Sequence, residues 1–257
     1  MGEVKRENKK GKRKRMRNIK LTIEYDGKDF NGWQKQPDKL NIQGTIEKAI
    51  EAVTGEVTEL NASGRTDAGV HAIGQVANFK TNSKIPIEKI PVALNTKLKK
   101  TIRIINAEEV DERFHSRLSC KRKTYRYVIN NSEFSSALYR NLECHIPQKL
   151  NIEKMQEAAK YFEGEHDFKA FTTAKKSKST VRDIKDVEIT TDGDSCEIRI
   201  TADDFLHNMA RYMIGMLLDV GSGLKKVEDV ENIMAGKDVV MSLPAESYGL
   251  FLESVLY

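Results

Sequence analysis

Two kinds of apolar spacing follow one another along the first part of the chain, and their order limits the possible folds. Apolar side chains first alternate with polar ones, which predicts a strand with one buried face, at Ile19, Leu21, Ile23 and Tyr25. A run with helical spacing comes next, at Ile42, Ile46, Ala49, Ile50 and Val53. Gly55 is placed to end that helix, because glycine favours the position just after a helix.

The segments that follow extend this order. Short strands are predicted near 57–62 and 74–79, a helix near 86–96 and a strand near 101–107. The first part of the chain therefore contains strand, helix, strand, strand, helix and strand in turn. This is the order of the ferredoxin-like arrangement.

The rest of the chain repeats the plan with different residues. Strands and helices are predicted at 122–130 (strand), 151–163 (helix), 184–190 and 195–201 (strands), 205–220 and 227–235 (helices) and 249–256 (strand). Asp192, Gly193 and Asp194 favour a hairpin turn between the two central strands. The helix at 205–220 carries a broad apolar stripe that predicts core packing, formed by Phe205, Met209, Tyr212, Met213, Met216 and Leu217.

These patterns predict an α+β fold of two ferredoxin-like (βαββαβ) halves. Joined edge to edge, the halves form one extended, mostly antiparallel sheet with helices on one face and an active-site cleft between them. The predicted divisions are a basic disordered tail (1–17), an N-terminal ferredoxin-like domain (18–108) and a C-terminal ferredoxin-like domain (109–257).

Charge is distributed unevenly along the chain. Residues 1–18 contain nine Lys or Arg against two Glu, a net of +7, so the remaining residues carry −2 of the total of +5. Such a tail is typically disordered and attracts polyanions, although a solubilising extension is an equal alternative. If the body binds a polyanion, it does so through local patches.

Two such basic patches contain interleaved aromatic residues, a composition that suits nucleic acid. The first lies between 113 and 126 with Tyr125 and Tyr127, and the second between 169 and 182 with Phe168 and Phe171. A solvated, charged face is the alternative for each patch. Two patches on an acidic body leave RNA or DNA binding and that alternative about equally supported.

Cysteine usage and hydropathy narrow the cellular context. The three cysteines are scattered, with no CxxC spacing, and therefore indicate neither a disulfide framework nor a zinc site. A reducing cytoplasm is the expected location. No apolar run approaches the length of a membrane span, and the N-terminus lacks the apolar core of a signal peptide.

The segment ASGRTDAGVH at 62–71 has no apolar periodicity and is expected to form a shaped loop. Gly64 and Gly69 allow unusual backbone conformations, and Arg65 lies close enough to Asp67 to influence its charge. The loop therefore has the composition expected for presenting a reactive carboxylate. By itself the segment favours a solvated turn over a reactive loop, because Asp beside Gly is common in turns.

A family resemblance extends over nearly the whole chain beyond the tail. The chain resembles the TruA family of tRNA pseudouridine synthases in YDGKDFNGWQKQ (25–36), IQGTIEKAI (42–50), SGRTDAGVHAIGQVANF (63–79), ALN (93–95), RKTYRYVI (122–129), EGEHDFKAF (163–171), FLHNMARYMIG (205–215) and GLFLESVLY (249–257). The GRTDAGVHA run is highly specific. The segments also occur in the same order as in the family.

The resemblance implies a role for five residues. Asp67 matches the catalytic nucleophile, Tyr125 the tyrosine that packs against the flipped base, and Arg65 the arginine that holds the nucleotide out of its stack. Arg211 matches the arginine expected to pair with the catalytic carboxylate, and Leu250 matches a leucine that forms part of the pocket wall. His71, His115 and His166 show no metal-ligand spacing and are left out of the expected chemistry.

The resemblance also implies the reaction and the partners. It predicts uridine isomerisation in tRNA, usually at positions 38 to 40 of the anticodon arm, by a homodimer that uses neither a metal nor another cofactor. Cys120, where the family usually has alanine, and the loosely similar segment 237–248 depart from the pattern. Both departures affect the expected target more than the reaction. The alternatives are a paralogue acting on another tRNA or on ribosomal RNA, and a non-catalytic RNA-binding protein.

Overall fold

The computed structural model describes residues 16–173 and 179–257. Its first half contains six elements: β1 (Arg17–Tyr25), α1 (Ile42–Thr54), β2 (Asn61–Ala62), β3 (His71–Thr81), α2 (Ile90–Asn95) and β4 (Ile102–Val110). Its second half contains nine: β5 (Arg122–Asn130), β6 (Cys144–His145), α3 (Ile152–Ala159), β7 (Gly164–Asp167), β8 (Val181–Asp192), β9 (Ser195–Ala202), α4 (Met209–Gly221), α5 (Val227–Met234) and β10 (Leu250–Leu256).

The strands form one sheet that runs through both halves. Its order is β4-β1-β3-β10-β5-β9-β8-β7, while β2 pairs with β3 and β6 pairs with β5. All pairings are antiparallel except β3–β10 and β5–β6. The predicted α+β class and the mostly antiparallel sheet are therefore confirmed. Within each half, the first and last strands of the βαββαβ plan are neighbours, as the ferredoxin-like order requires.

The apolar spacing of the sequence corresponds to the observed core. Asn41 caps α1 by accepting a hydrogen bond from Gly44 N–H, and Gly55 ends the helix in a left-handed conformation (φ 73°). The inward face of β1 is buried, and so is the apolar face of α1 apart from the half-buried Val53. The stripe of α4 is also core, because Met209, Met213 and Met216 are inaccessible to solvent.

Three element boundaries differ from the prediction for physical reasons. The strand expected near 57–62 is reduced to β2, because Leu60 N–H donates to the Glu47 carboxylate instead of to a neighbouring strand. The helix expected at 86–96 is divided into a 3₁₀ turn (Ile87–Lys89) and α2. The helix expected at 205–220 begins only at Met209, after Asn208 with its φ of 62°.

A short parallel pairing joins the two halves. Phe251 and Leu252 of β10 lie opposite His71 and Ala72 of β3. The buried imidazole of His71 stacks on Phe251 at 4.9 Å and accepts a hydrogen bond from Gly27 N–H at Nδ1. Its Nε2 donates to the carbonyl oxygens of Asn141 and Tyr248, because a carbonyl oxygen can only accept. One side chain thus connects both halves at their junction.

Two further predictions concern the tail and the thiols. Residues 1–15 of the predicted tail lie outside the described residues, whereas Arg17 belongs to β1 and bonds Glu109, so the tail boundary at residue 17 is wrong. All three cysteines are free thiols, and burial raises the pKa of Cys196 to about 11. In the ranges 16–173 and 179–257, no helix is long and apolar enough to cross a membrane.

Candidate active site

A cavity of about 650 Å³ opens where the two halves meet. Its wall combines the loop before β3, the start of β5, the turn before α4, the first turn of α4 and the start of β10. Five residues with a predicted role line the cavity: Arg65, Asp67, Tyr125, Arg211 and Leu250. Phe205 and His207, in the turn before α4, line it as well. The fold therefore brings together all five site residues predicted from the sequence.

Buried hydrogen bonds hold the loop that carries Asp67. The carbonyl of Thr66 accepts from Trp33 N–H at 3.0 Å, and the Thr66 hydroxyl bonds that of Tyr25 at 2.7 Å. Gly69 follows in a left-handed conformation (φ 79°) and turns the chain into β3. Trp33 is almost fully buried, so it is a packing anchor as well as part of the cavity wall.

Gln75 of β3 holds the start of the same loop. Its side chain is inaccessible to solvent, donates to the Gly64 carbonyl at 3.0 Å and accepts from the Ser63 hydroxyl at 2.8 Å. The loop is thus bonded to the rest of the first half at its start and directly before Asp67. Asp67 projects from a rigid support, as a reactive group requires.

The carboxylate of Asp67 lies in a largely desolvated position. Its side chain is 24% exposed, and burial raises its pKa, because removal of water disfavours the charged form. The charges of His207 and Arg211 act in the opposite direction and lower that pKa. Ionisation of Asp67 is therefore a balance between burial and two neighbouring cationic groups.

Arg211 does not form the direct ion pair with Asp67 that the resemblance implies. Its Nε donates to the Ala245 carbonyl at 2.7 Å, and its Nη1 donates to Asn208 Oδ1 at 3.5 Å. These bonds hold the guanidinium beside the wall of the cavity. Among the described residues, the group in ion-pair contact with Asp67 is His207, whose Nε2 lies 3.4 Å from Oδ1.

The sequence prediction did not single out His207. Thr173 Oγ1 bonds its Nδ1 at 2.7 Å, and Thr172 Oγ1 donates to its carbonyl at 2.9 Å. Asn208 Nδ2 donates to the same Thr173 hydroxyl at 3.0 Å. The segment FLHNMARYMIG contained the residue, but its position depends on the approach of 172–173 from another part of the chain.

Tyr125 and Leu250 form an apolar wall. Tyr125 is buried, and its ring meets that of Phe205 edge to face at 4.9 Å. Burial raises its pKa well above the ordinary tyrosine value, so its hydroxyl remains protonated. Leu250 is also buried and lies opposite Tyr127 in the β5–β10 register. Tyr125 can therefore offer its ring for an apolar contact, but it cannot act as a proton acceptor.

Arg65 differs from its neighbours by being exposed at the cavity rim. No hydrogen bond or ion pair to another described residue holds its side chain. A solvated guanidinium at this position is available to a ligand that enters the cavity.

The two predicted basic patches are only partly available to a ligand. Tyr127, Phe168 and Phe171 are core residues, so the expectation that these rings stack on bases is wrong. In the first patch, Arg122 pairs with Asp183 and Arg126 pairs with Glu197 and Glu253, whereas Arg113, Arg117 and Lys121 are exposed. In the second patch, Lys169 is exposed, and Lys175, Lys176 and Lys178 lie outside the described residues.

The described part of the chain contains no cluster of three or more His, Cys, Asp and Glu side chains that could hold a metal ion. The chemical groups placed in the cavity are a recessed carboxylate, an imidazole, guanidinium groups and apolar rings. Such a set can position a nucleotide and provide a nucleophile or base for it.

The chain belongs to the tRNA pseudouridine synthase family, whose model matches residues 21–118 and 158–257. It is therefore an enzyme that isomerises uridine in tRNA. A tRNA pseudouridine synthase A from Caldicellulosiruptor saccharolyticus is 49% identical over 94% of this chain and 100% of its own length. A tRNA pseudouridine synthase A 2 from Clostridium perfringens is also 49% identical, with the same coverage. A solved Cbf5–Nop10–Gar1 complex aligns with 77% of this chain at 14% identity and a TM-score of 0.32, too distant to bear on activity.

The contact between His207 and Asp67 generates a prediction about pH. When its imidazole is protonated, His207 lowers the pKa of Asp67, so in His207→Gln that pKa should rise and the loss of activity on acidification should begin at higher pH. Because the pair is partly exposed and worth about 0.2–1 kcal/mol, the shift should be a few tenths of a pH unit. Single-turnover rates measured against pH test this.

His166→Gln is the matched control for this measurement, because His166 of β7 bonds the Glu163 carbonyl and does not line the cavity. Its pH profile should overlay that of the wild type. A wild-type acid limb in His207→Gln would show that the imidazole does not influence the carboxylate.

Proposed function

We propose that this enzyme converts uridine to pseudouridine at positions 38 to 40 of the tRNA anticodon arm, with Asp67 as the nucleophile. The observation that carries the proposal is the recessed carboxylate of Asp67 beside the buried ring of Tyr125, in a cavity whose rim carries the exposed Arg65. A cavity of about 650 Å³ is in the size range of small-ligand pockets and suits one extruded nucleotide.

The reaction breaks the bond between ribose C1′ and uracil N1 and forms a bond between C1′ and C5. N1 gains a proton and C5 loses one, so the isomerisation needs no oxidant and no transferred group. In the proposed mechanism the ionised Asp67 adds to ribose C1′ or to uracil C6, which loosens the glycosidic bond and allows the base to rotate. The same carboxylate then leaves when the new bond has formed.

The other cavity residues have supporting roles in this proposal. Tyr125 packs against the extruded uracil, and Leu250 forms part of the pocket wall. Arg65, exposed at the rim, occupies the space that the nucleotide leaves in the RNA stack, which offsets part of the few kcal/mol that unstacking costs. Arg211 and His207 oppose the effect of burial and maintain the ionised form of Asp67.

The anticodon arm is the proposed target because it is the usual target of the family that the chain resembles, and six of the eight segments that carry the resemblance line the cavity. The chain departs from the usual family pattern at Cys120 and in 237–248. These departures allow a second candidate target. A paralogue acting on a different uridine of tRNA or ribosomal RNA would use the same cavity with other RNA contacts.

A cytoplasmic location, supported by three free thiols, is part of the proposal.

Replacement of Asp67 by asparagine tests the nucleophile. Asp67→Asn retains the shape but cannot attack, so it should form no detectable pseudouridine while binding tRNA within a few-fold of wild type. Because the pKa of Asp67 is raised in the folded state, ionisation at neutral pH destabilises the fold, and the amide avoids this cost. The melting temperature should therefore be equal to or higher than that of the wild type.

Release of tritium from C5-labelled uridine in unmodified tRNA measures turnover. Asp192→Asn is the control, because Asp192 is exposed and does not line the cavity. Retention of a tenth of the wild-type turnover by Asp67→Asn would contradict the proposed nucleophile.

Substituted transcripts test the target. A tRNA transcript with uridine at positions 38 to 40 should acquire pseudouridine there, and the same transcript with cytidine at those positions should acquire none. Mapping the modified nucleotides by sequencing distinguishes the two candidate targets. Modification that persists elsewhere in the cytidine transcript would support the paralogue.

We also propose that the enzyme is a homodimer, as the family resemblance implies, with the RNA lying across both subunits. Sedimentation of the active enzyme should give twice the chain mass of 29.2 kDa. Full activity of a species that sediments at the mass of one chain would rule out this assembly.

A further inference from the structure

Lys123, at the start of β5, is a buried lysine in the wall of the cavity. Its side chain is only 4% exposed, and its ammonium forms an ion pair with the carboxylate of Asp204, which is 36% exposed. Burying an ammonium group is costly unless it is paired and hydrogen-bonded. A lysine at this position therefore requires Asp204, and the pair has a defined geometry.

The stem of Lys123 packs against the loop that carries Asp67. A Cβ added at Gly64 would lie 3.4 Å from Cε and 3.6 Å from Nζ of Lys123. The lysine thus occupies the space beside the Gly64 backbone. On the first-half side, Gln75 holds the same residue through its carbonyl. The base of the loop is therefore confined between Gln75 of the first half and Lys123 of the second.

Asp204 connects the lysine to the aromatic wall. It directly precedes Phe205, whose ring meets that of Tyr125 at 4.9 Å. Tyr125 and Lys123 lie two residues apart in β5 and are both buried, as expected for side chains on one face of a strand. The Lys123–Asp204 pair thus links the loop of the proposed nucleophile to the residues that would hold the uracil.

We propose that Lys123 is a positioning residue that sets the distance between the Asp67 loop and the Tyr125–Phe205 wall. An apolar side chain of similar volume could fill the same space, but it would not fix the turn at Asp204 by a directed charge contact. Lysines that bind RNA phosphates by charge present the ammonium to solvent, which Lys123 does not. The inference depends on the proposed role of Asp67, because that group is the one whose placement is set.

Lys123→Met tests the inference, because methionine keeps most of the stem and removes the ammonium. Misplacing a reacting group by about 1 Å can cost about 100-fold in rate. The single-turnover rate at saturating tRNA should therefore fall at least about tenfold, whereas the dissociation constant for tRNA and its salt dependence should remain within about twofold of wild type. Lys123→Arg, which retains the charge, should restore most of the rate.

Lys20→Met is the matched control. Lys20 also lies in a strand and pairs with a carboxylate, that of Glu108 at 2.8 Å, but it does not line the cavity. Its rate and affinity should be those of the wild type. If Lys123→Met does not fold, Asp204→Asn tests the same contact, since the amide keeps the shape and loses the charge. It should reduce the rate in the same way.

Two results would overturn the inference. A wild-type rate in Lys123→Met, or in Asp204→Asn where Lys123→Met does not fold, would show that the pair does not set the geometry. A weaker tRNA affinity and a smaller salt dependence at an unchanged rate would show that the ammonium contacts phosphate instead. The single-turnover rate of Asp67→Asn distinguishes a failure of this inference from a failure of the proposed nucleophile. If Asp67 is not the nucleophile, Asp67→Asn remains active; if only the role of Lys123 is wrong, Asp67→Asn is inactive.

Discussion

The cavity depends on the short parallel pairing between β3 and β10. Only two residue pairs, Phe251 with His71 and Leu252 with Ala72, join the halves in this ladder. The stacking and hydrogen bonds of His71 reinforce the pairing. Because β3 directly follows the loop of Asp67 and β10 begins with Leu250, this pairing brings the carboxylate and the apolar wall to one place.

The electrostatics of the site follow from that geometry. Packing of the two halves against each other excludes water from Asp67, and this desolvation raises its pKa. The cationic groups that oppose the effect come from the second half, on the turn before α4 and on its first turn. Asp67 is thus supplied by one half, and the groups whose charges oppose the effect of burial by the other. Neither half alone would contain this set of side chains.

The parts of the structure that could be predicted are those encoded by neighbouring residues. The position of α1 follows from its apolar spacing and its end from Gly55, and β5 matches its predicted range of 122–130. The position of Asp67 in a shaped loop follows from the glycines and from the family motif. All of these are local signals in the sequence.

The remainder depends on contacts between distant segments. The strand at 57–62 is shortened because Leu60 N–H bonds Glu47. His207 reaches Asp67 because Thr173, distant in sequence, holds its ring, and Arg211 is drawn to the Ala245 carbonyl. No periodicity or spacing in the sequence reports these approaches. The burial of Tyr127, Phe168 and Phe171 is unpredictable for the same reason, since it is decided by the elements that pack against them.

The left-handed Asn208 at the start of α4 has one more consequence. Its side chain donates to Thr173 and makes no cap bond with the helix. Asn208, Met209, Ala210 and Arg211 all line the cavity, so the N-terminal end of α4 borders it. Aligned peptide dipoles give such an end a partial positive charge, which stabilises a nearby anion by about 0.3–1 kcal/mol. The helix backbone therefore contributes to the electrostatic environment of the cavity. Because this partial charge comes from peptide groups, replacing side chains that line the cavity would not remove it.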